Sequence, residues 1–250
     1  MKLKKRSKAA FTLAECTLYS ALSDDNRKSA FTLAEVLITL GIIGVVAALT
    51  LPTLINRTRQ KELETNFKKQ YSILQQAIMF VKNQDELELS TETYGHSNFM
   101  RSLAKQYKVI KDCGSINNNT GCVLLNEDLT FTYYKTLTGN ILTREFFDDG
   151  GFITSDGTAF FIEQGCQAIQ TGFLVLIDVN GYKKGPNRMG YDFFMFQITK
   201  EGKVLPMGAN GTHWSNIREA LCSTNSSNNM NGFTCAYYAV NNKDYFKNLH

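Results

Sequence analysis

Ser29-Ala30-Phe31-Thr32-Leu33-Ala34-Glu35 runs directly into Val36–Leu51, VLITLGIIGVVAALTL, sixteen residues without a charge. As a helix rising about 1.5 Å per residue, Phe31 to Leu51 spans roughly 30 Å, the thickness of a bilayer's hydrocarbon core. Glu35 is the single acid inside it. A secretory signal is cleaved after its apolar stretch. Here the cations and the small pair Ser29-Ala30 come before it, so the order of features is that of a basic leader ahead of a retained anchor.

The charge distribution supports that order. The formal net charge is +4, from 27 cations and 23 acids. Seven of the cations (Lys2, Lys4, Lys5, Arg6, Lys8, Arg27, Lys28) and three of the acids (Glu15, Asp24, Asp25) fall in residues 1–30, leaving 20 of each beyond. A neutral body argues against a nucleic-acid footprint, which needs cations clustered on the folded part. The N-terminal excess reads instead as positive-inside topology.

The segment resembles the prepilin class of type IV pilins and type II secretion pseudopilins. The matching residues are Lys28-Ser29-Ala30, Phe31, Glu35 five residues into the processed chain, Gly41-Ile42-Ile43-Gly44, and Pro52 where the family's helix is commonly kinked. The family usually has Gly where this chain has Ala30. The resemblance implies cleavage between Ala30 and Phe31 by a prepilin peptidase, methylation of the Phe31 amine, and assembly through Glu35. A carboxylate in the bilayer interior costs about 2.5–3.5 kcal/mol on insertion scales, so it needs a partner, and a neighbouring subunit's Phe31 amine supplies one. A second copy of the motif, Ala10-Phe11-Thr12-Leu13-Ala14-Glu15, stands twenty residues upstream. Cleavage there would place Asp24, Asp25, Arg27 and Lys28 inside the span, so the second copy is the expected site.

Beyond Pro52, Leu63, Phe67, Tyr71, Leu74, Ile78 and Val81 recur three or four residues apart, one face of a helix. The domain reading is therefore a removed leader at 1–30, a long helix at 31–83 whose half 31–52 spans and polymerises, and an extracytoplasmic head at 84–250. The expected fold class is α+β, the long helix packed on an antiparallel sheet as in pilins. A short helix is expected at Asn98–Tyr107, a further helix at Trp214–Leu221, and strands at Thr130–Tyr134, Phe152–Thr154, Thr158–Ile162, Phe173–Val179 and Phe193–Thr199. This makes a sheet of four or five strands.

Within the head, Ile177–Asp192 resembles a D-x-N-G…G-P-N…G-x-D loop that recurs in pilin-like proteins. Its Asp178, Asn180, Asn187 and Asp192 offer hard oxygen ligands suited to Ca²⁺, while the same residue types build self-capped turns. Both readings stay open. It is not an EF-hand. Asp148-Asp149-Gly150-Gly151 and Ser155-Asp156-Gly157 read as hairpin turns. The cysteines carry no C-x-x-C spacing, so disulfides are expected over zinc. The local pairs Cys113 with Cys122 and Cys222 with Cys235 leave Cys166 over.

Function follows from these parts. The chain is expected to be a structural subunit of a type IV pilus or of the pseudopilus of a type II secretion system, and not an enzyme. The resemblance implies as partners other pilin or pseudopilin subunits, the prepilin peptidase, the lipid of the bacterial inner membrane and the assembly platform. The alternative is a monomeric membrane-anchored or secreted protein whose head binds a surface polymer or glycan. A hydrolase using Asp148, Asp149 and Asp156 is the third class, and the scattered His96, His213 and His250 give it no support.

Overall fold

The computed structural model describes residues 31–85, 88–114, 122, 134–142, 145, 148–163 and 172–249, with the side chains at 85, 91 and 95–97 excepted. The chain divides into two compact units, Met1–Leu51 and Pro52–His250. Helix α1 (Leu33–Asp85) contributes to both, and Pro52 lies inside it.

In the first unit α1 is exposed on nearly every side: Leu37, Ile38, Leu40, Ile42, Ile43 and Val45 are all open. This part of the helix is long and apolar enough to cross a membrane. Its hydroxyls are folded away, with Thr39 Oγ1 donating to the Val36 carbonyl (3.0 Å) and Thr50 Oγ1 to that of Val46 (2.9 Å). Such back-bonding hides a polar group that lipid would penalise.

The second unit is α+β. A six-stranded antiparallel meander has the order β1 (Val109–Gly114), β2 (Gly150–Thr154), β3 (Ala159–Glu163), β4 (Gly172–Asp178), β5 (Phe193–Thr199), β6 (Val204–Pro206). Every residue of β3 and β4 is buried. Both sheet faces are covered, so these strands read as continuous apolar runs instead of alternating ones. Phe160, Ile162, Phe173, Val175, Ile177 and Phe196 face a core shared with α1. Phe161, Leu174, Leu176, Phe193 and Met195 face a second core closed by Tyr134, Met189, Met207, Trp214 and Phe233.

The helical periodicity beyond Pro52 is what packs. Leu63, Phe67, Leu74, Ile78 and Val81 are buried, and Tyr71 joins them in part. Phe67 lies 4.5 Å from Phe194, 5.5 Å from Phe246 and 6.0 Å from Phe196 between ring centroids. Gln70, buried on the same face, is satisfied by donating to Thr158 Oγ1 (2.8 Å) and Asp156 Oδ2 (3.0 Å).

Several expectations are corrected. The expected helix at Asn98–Tyr107 begins earlier, as α2 (Thr91–Ala104), because Ser90 Oγ accepts from the Thr93 amide and caps it. Trp214–Leu221 is not an α-helix: only Ser215–Ile217 forms a 3-10 turn, and Leu221 is drawn away to accept from the Gly232 amide. The α-helix of that region is α3 (Cys235–Asn241), followed by a 3-10 turn at Phe246–Asn248. Strands β1 and β6 add to the sheet. Of the strand expected at Thr130–Tyr134, residues 130–133 lie outside the described residues and Tyr134 is in no strand.

Candidate functional site

The apolar helix opens on a reciprocal cap. Glu35 Oε2 accepts from the Thr32 backbone amide (2.8 Å) and from Thr32 Oγ1 (2.8 Å), while the Glu35 amide donates back to Thr32 Oγ1 (3.2 Å). This is a capping box, in which a residue at the N-cap and an acid three positions on satisfy each other's amides. The acid also sits where the helix dipole favours negative charge. Phe31, one residue before the cap, is open to its surroundings. The sequence carried this signal as Thr32-x-x-Glu35 ahead of an apolar run, and the reading of Glu35 as an assembly residue passed over it. Ala30 and the upstream copy Phe11–Glu15 lie outside the described residues.

In the head, the Asp178 loop links β4 to β5, and its mouth is closed by the Val179 amide donating to the Asp192 carbonyl (2.9 Å). The four expected residues are brought into this one loop. Asp178 is fully buried. Its Oδ1 accepts from the amides of Gly181 (2.8 Å) and Asn180 (3.3 Å), and its Oδ2 from Tyr134 Oη (2.7 Å). Asp192, equally buried, accepts from the amides of Asn187 (2.9 Å) and Arg188 (2.7 Å). These are the bonds of a self-capped turn.

The amides complete the loop differently. Asn180 Nδ2 donates to the Gly185 carbonyl (3.1 Å) and Asn187 Nδ2 to that of Tyr182 (2.7 Å). The Oδ1 atoms of both are buried without a hydrogen-bond partner. Burial, and after it the charge of Asp192, pushes the Asp178 carboxyl up to about 8, against the hydrogen bonds from Tyr134, Gly181 and Asn180. Burial also raises Asp192. Gly181 is required by contact: at φ +79° a Cβ would stand 2.2 Å from the Gly157 carbonyl oxygen. No side chain fits there.

The other acids separate by role. Asp156 is turned toward α1, accepting from Lys69 Nζ (2.7 Å) and Gln70, and Thr154 Oγ1 donates to it (2.6 Å). Partial burial opposes its ionisation, yet these hydrogen bonds hold its carboxyl well below the usual range. Asp148 and Asp149 instead meet Glu163 at the end of β3, with ligand oxygens within 4.8 Å of one another. The acidic trio of the hydrolase reading is thus not brought together. Glu163 was missed although the hairpin turn read at Ser155-Asp156-Gly157 carries the signal: antiparallel pairing of β2 with β3 sets Gly150 opposite Ile162 and so brings Glu163 beside Asp149. The His213 amide donates to Gln197 Oε1 (2.8 Å), the His96 side chain is not among those described, and His250 lies outside.

Both expected disulfides are present, Cys113–Cys122 and Cys222–Cys235. Cys166 lies outside the described residues.

An exposed apolar helix leading into an α+β unit whose helix packs on an antiparallel sheet is a pilin-like architecture. Residues 25–51 match the prokaryotic N-terminal methylation motif, which takes in Ala30, Phe31 and Glu35. The chain therefore carries a prepilin-type methylation segment, consistent with a type IV pilin-like or pseudopilin protein. No curated protein and no solved structure matches it.

Proposed function

We propose that this chain is a structural subunit of a type IV pilus or a type II secretion pseudopilus, cleaved between Ala30 and Phe31, methylated at Phe31 and assembled through α1. The role is that of a building block rather than a catalyst. The observation that carries the reading is the methylation motif, whose residues from Leu33 onward form a helix left without apolar cover among the described residues. Such a face is satisfied by lipid before assembly and by neighbouring helices after it. The prepilin peptidase and the assembly platform are then its processing partners, and the bacterial inner membrane is its site before assembly, with the head on the extracytoplasmic side. Mass spectrometry of the mature N-terminus tests the processing, and a chain starting after Ala48, as ordinary signal cleavage near Ala47-Ala48 would leave it, would sink it. Glu35→Ala is expected to insert into membrane yet fail to enter filaments. Filaments of normal number and length would leave Glu35 with capping alone.

A second proposal concerns the Asp178 loop, favoured by the two unpartnered amide oxygens of Asn180 and Asn187 beside two buried carboxylates. Hard oxygens of this kind suit Ca²⁺, which takes six to eight of them. Calcium at millimolar concentration is expected to raise Tm in the unaltered chain and not in Asp178→Asn. An unchanged Tm would leave the loop as a turn closed by its own amides.

A further inference from the structure

Three Asn-Gly pairs stand in the chain, Asn180-Gly181, Asn210-Gly211 and Asn231-Gly232. In such a pair the backbone nitrogen of Gly can attack the side-chain amide before it, because Gly has no Cβ to hinder the approach. The fold closes two of the three. Asn180 is buried, and the Gly181 amide donates to Asp178 Oδ1 (2.8 Å). Asn231 is buried, its Nδ2 donates to the carbonyls of Ser223 (2.8 Å) and Ser226 (2.9 Å), and the Gly232 amide donates to the Leu221 carbonyl (2.6 Å). A buried amide held by a fixed acceptor surrenders its proton to water only when the structure opens locally.

The pair Asn210-Gly211 is open where the others are closed. Both residues are exposed at the tip of a turn shut by the Thr212 amide donating to the Ala209 carbonyl (3.0 Å). The Gly211 amide makes no hydrogen bond among the described residues, and a Cβ at Gly211 would come within 4 Å of Leu205 Cδ1 alone. The side-chain oxygen of Asn210 faces a cation: Arg218 Nη2 donates to Asn210 Oδ1 (2.8 Å). Arg218 is fixed in that pose by its Nε donating to the Ser215 carbonyl (3.1 Å) and by its guanidinium lying 4.6 Å over the Tyr237 ring. A donor placed in advance on the oxygen where negative charge develops lowers the barrier to attack on the carbon.

We infer that Asn210 is a site of spontaneous deamidation, with Arg218 as the residue that positions and polarises its side chain. The Gly211 nitrogen loses its proton to solvent and bonds to Asn210 Cγ, and the charge moves onto Oδ1 against the Arg218 guanidinium. The bond from Cγ to Nδ2 then breaks, and the nitrogen leaves as ammonia with a proton from water. Water opens the resulting succinimide at either carbonyl, giving aspartate or isoaspartate at position 210. An aged head thus carries one more negative charge than a new one, set beside Arg218. The inference concerns the head and is independent of anchoring and of assembly.

The test incubates the full mature chain in mild detergent and follows all three Asn-Gly peptides by mass mapping. The Asn210 peptide is expected to convert to two products of equal mass, while Asn180 and Asn231 stay amides. Conversion should speed up from pH 6 to pH 8, since the attacking nitrogen must first lose its proton. Arg218→Gln is expected to slow conversion about fivefold, the scale of one hydrogen bond to a charged group, and Arg218→Lys to recover part of the rate. If Arg218 merely held the turn, its loss would loosen the tip and speed the reaction. An equal or faster rate in Arg218→Gln at unchanged Tm therefore overturns the role of Arg218, and Arg218→Lys gives the same comparison should the Gln variant lose Tm. Conversion at the same rate in all three pairs overturns the inference, since sequence and not fold would then decide. An Asn210 that remains an amide throughout overturns it outright.

Discussion

Asp178→Asn should flatten the pH dependence of the head's stability between pH 5 and 7. In the folded chain, burial and the facing Asp192 push the Asp178 carboxyl up to about 8, whereas an unfolded Asp titrates near 3.9. Across the interval between these values the native state keeps a proton that the unfolded state has released. Stability from this site is therefore complete below about pH 4 and is lost as pH rises, by about 1.4 kcal/mol per pH unit, until pH passes the folded value. From pH 5 to 7 the loss is on the order of a few kcal/mol, and the raised carboxyl of Asp192 works in the same direction. Asp156 works in the opposite sense, but its carboxyl is lowered, so its contribution is lost only as pH falls below the ordinary Asp range. The stability contributed by these carboxyls should therefore be greatest near about pH 4. Urea unfolding of the mature chain in mild detergent with a chelator, at pH 5, 6 and 7, gives the slope directly. Asn at 178 keeps an oxygen for the Gly181 and Asn180 amides and has nothing to titrate. A wild-type stability that is flat or rising over this interval would refute the argument, as would a slope unaltered by Asp178→Asn.

Phe67→Ala removes the ring that fills the space between Phe194, Phe196 and Phe246 and should cost about 3–5 kcal/mol, read as a lower urea midpoint at unchanged slope. Cys222→Ser with Cys235→Ser opens a loop with a sequence separation of 13 and should lower stability by about 3 kcal/mol on the chain-entropy model, and reducing the unaltered chain should cost more because it also opens Cys113–Cys122. Thr32→Val removes half of the cap that Glu35 completes, so helix content of a Phe31–Gln60 peptide in micelles should fall relative to the parent by circular dichroism.

The anchor and the spine were legible because both are written locally. Sixteen uncharged residues after Glu35, and apolar residues three and four apart from Leu63 to Val81, need no knowledge of what lies elsewhere in the chain. The same holds for β3, β4 and β5, whose apolar runs have turn residues on both sides, and for the disulfides, whose cysteines bracket short loops. What was not legible depends on contacts distant in sequence. Strand β1, VIKDCG, has a mostly exposed pattern and becomes a strand only because Val109 to Gly114 finds β2 forty residues later. The helix expected at Trp214–Leu221 failed for a related reason, since Trp214 and Leu221 are apolar at seven-residue spacing yet serve the second core from successive turns.

The loop from Asp178 to Asp192 shows why residue type did not decide chemistry. Asp and Asn were chosen as candidates because they carry oxygen, but a carboxylate's fate depends on which amides face it, and the sequence does not show that Asn187 and Arg188 turn their amides onto Asp192. The same turn that satisfies Asp192 places Arg188 beside α1, opposite Arg57 and Arg59, more than a hundred residues away in the chain. The acids of the loop therefore act on its interior and the arginine on its exterior. Removing the Asp192 carboxylate should disturb the seat of Arg188 as well as the loop, whereas removing the Arg188 charge should leave the loop's pH dependence intact.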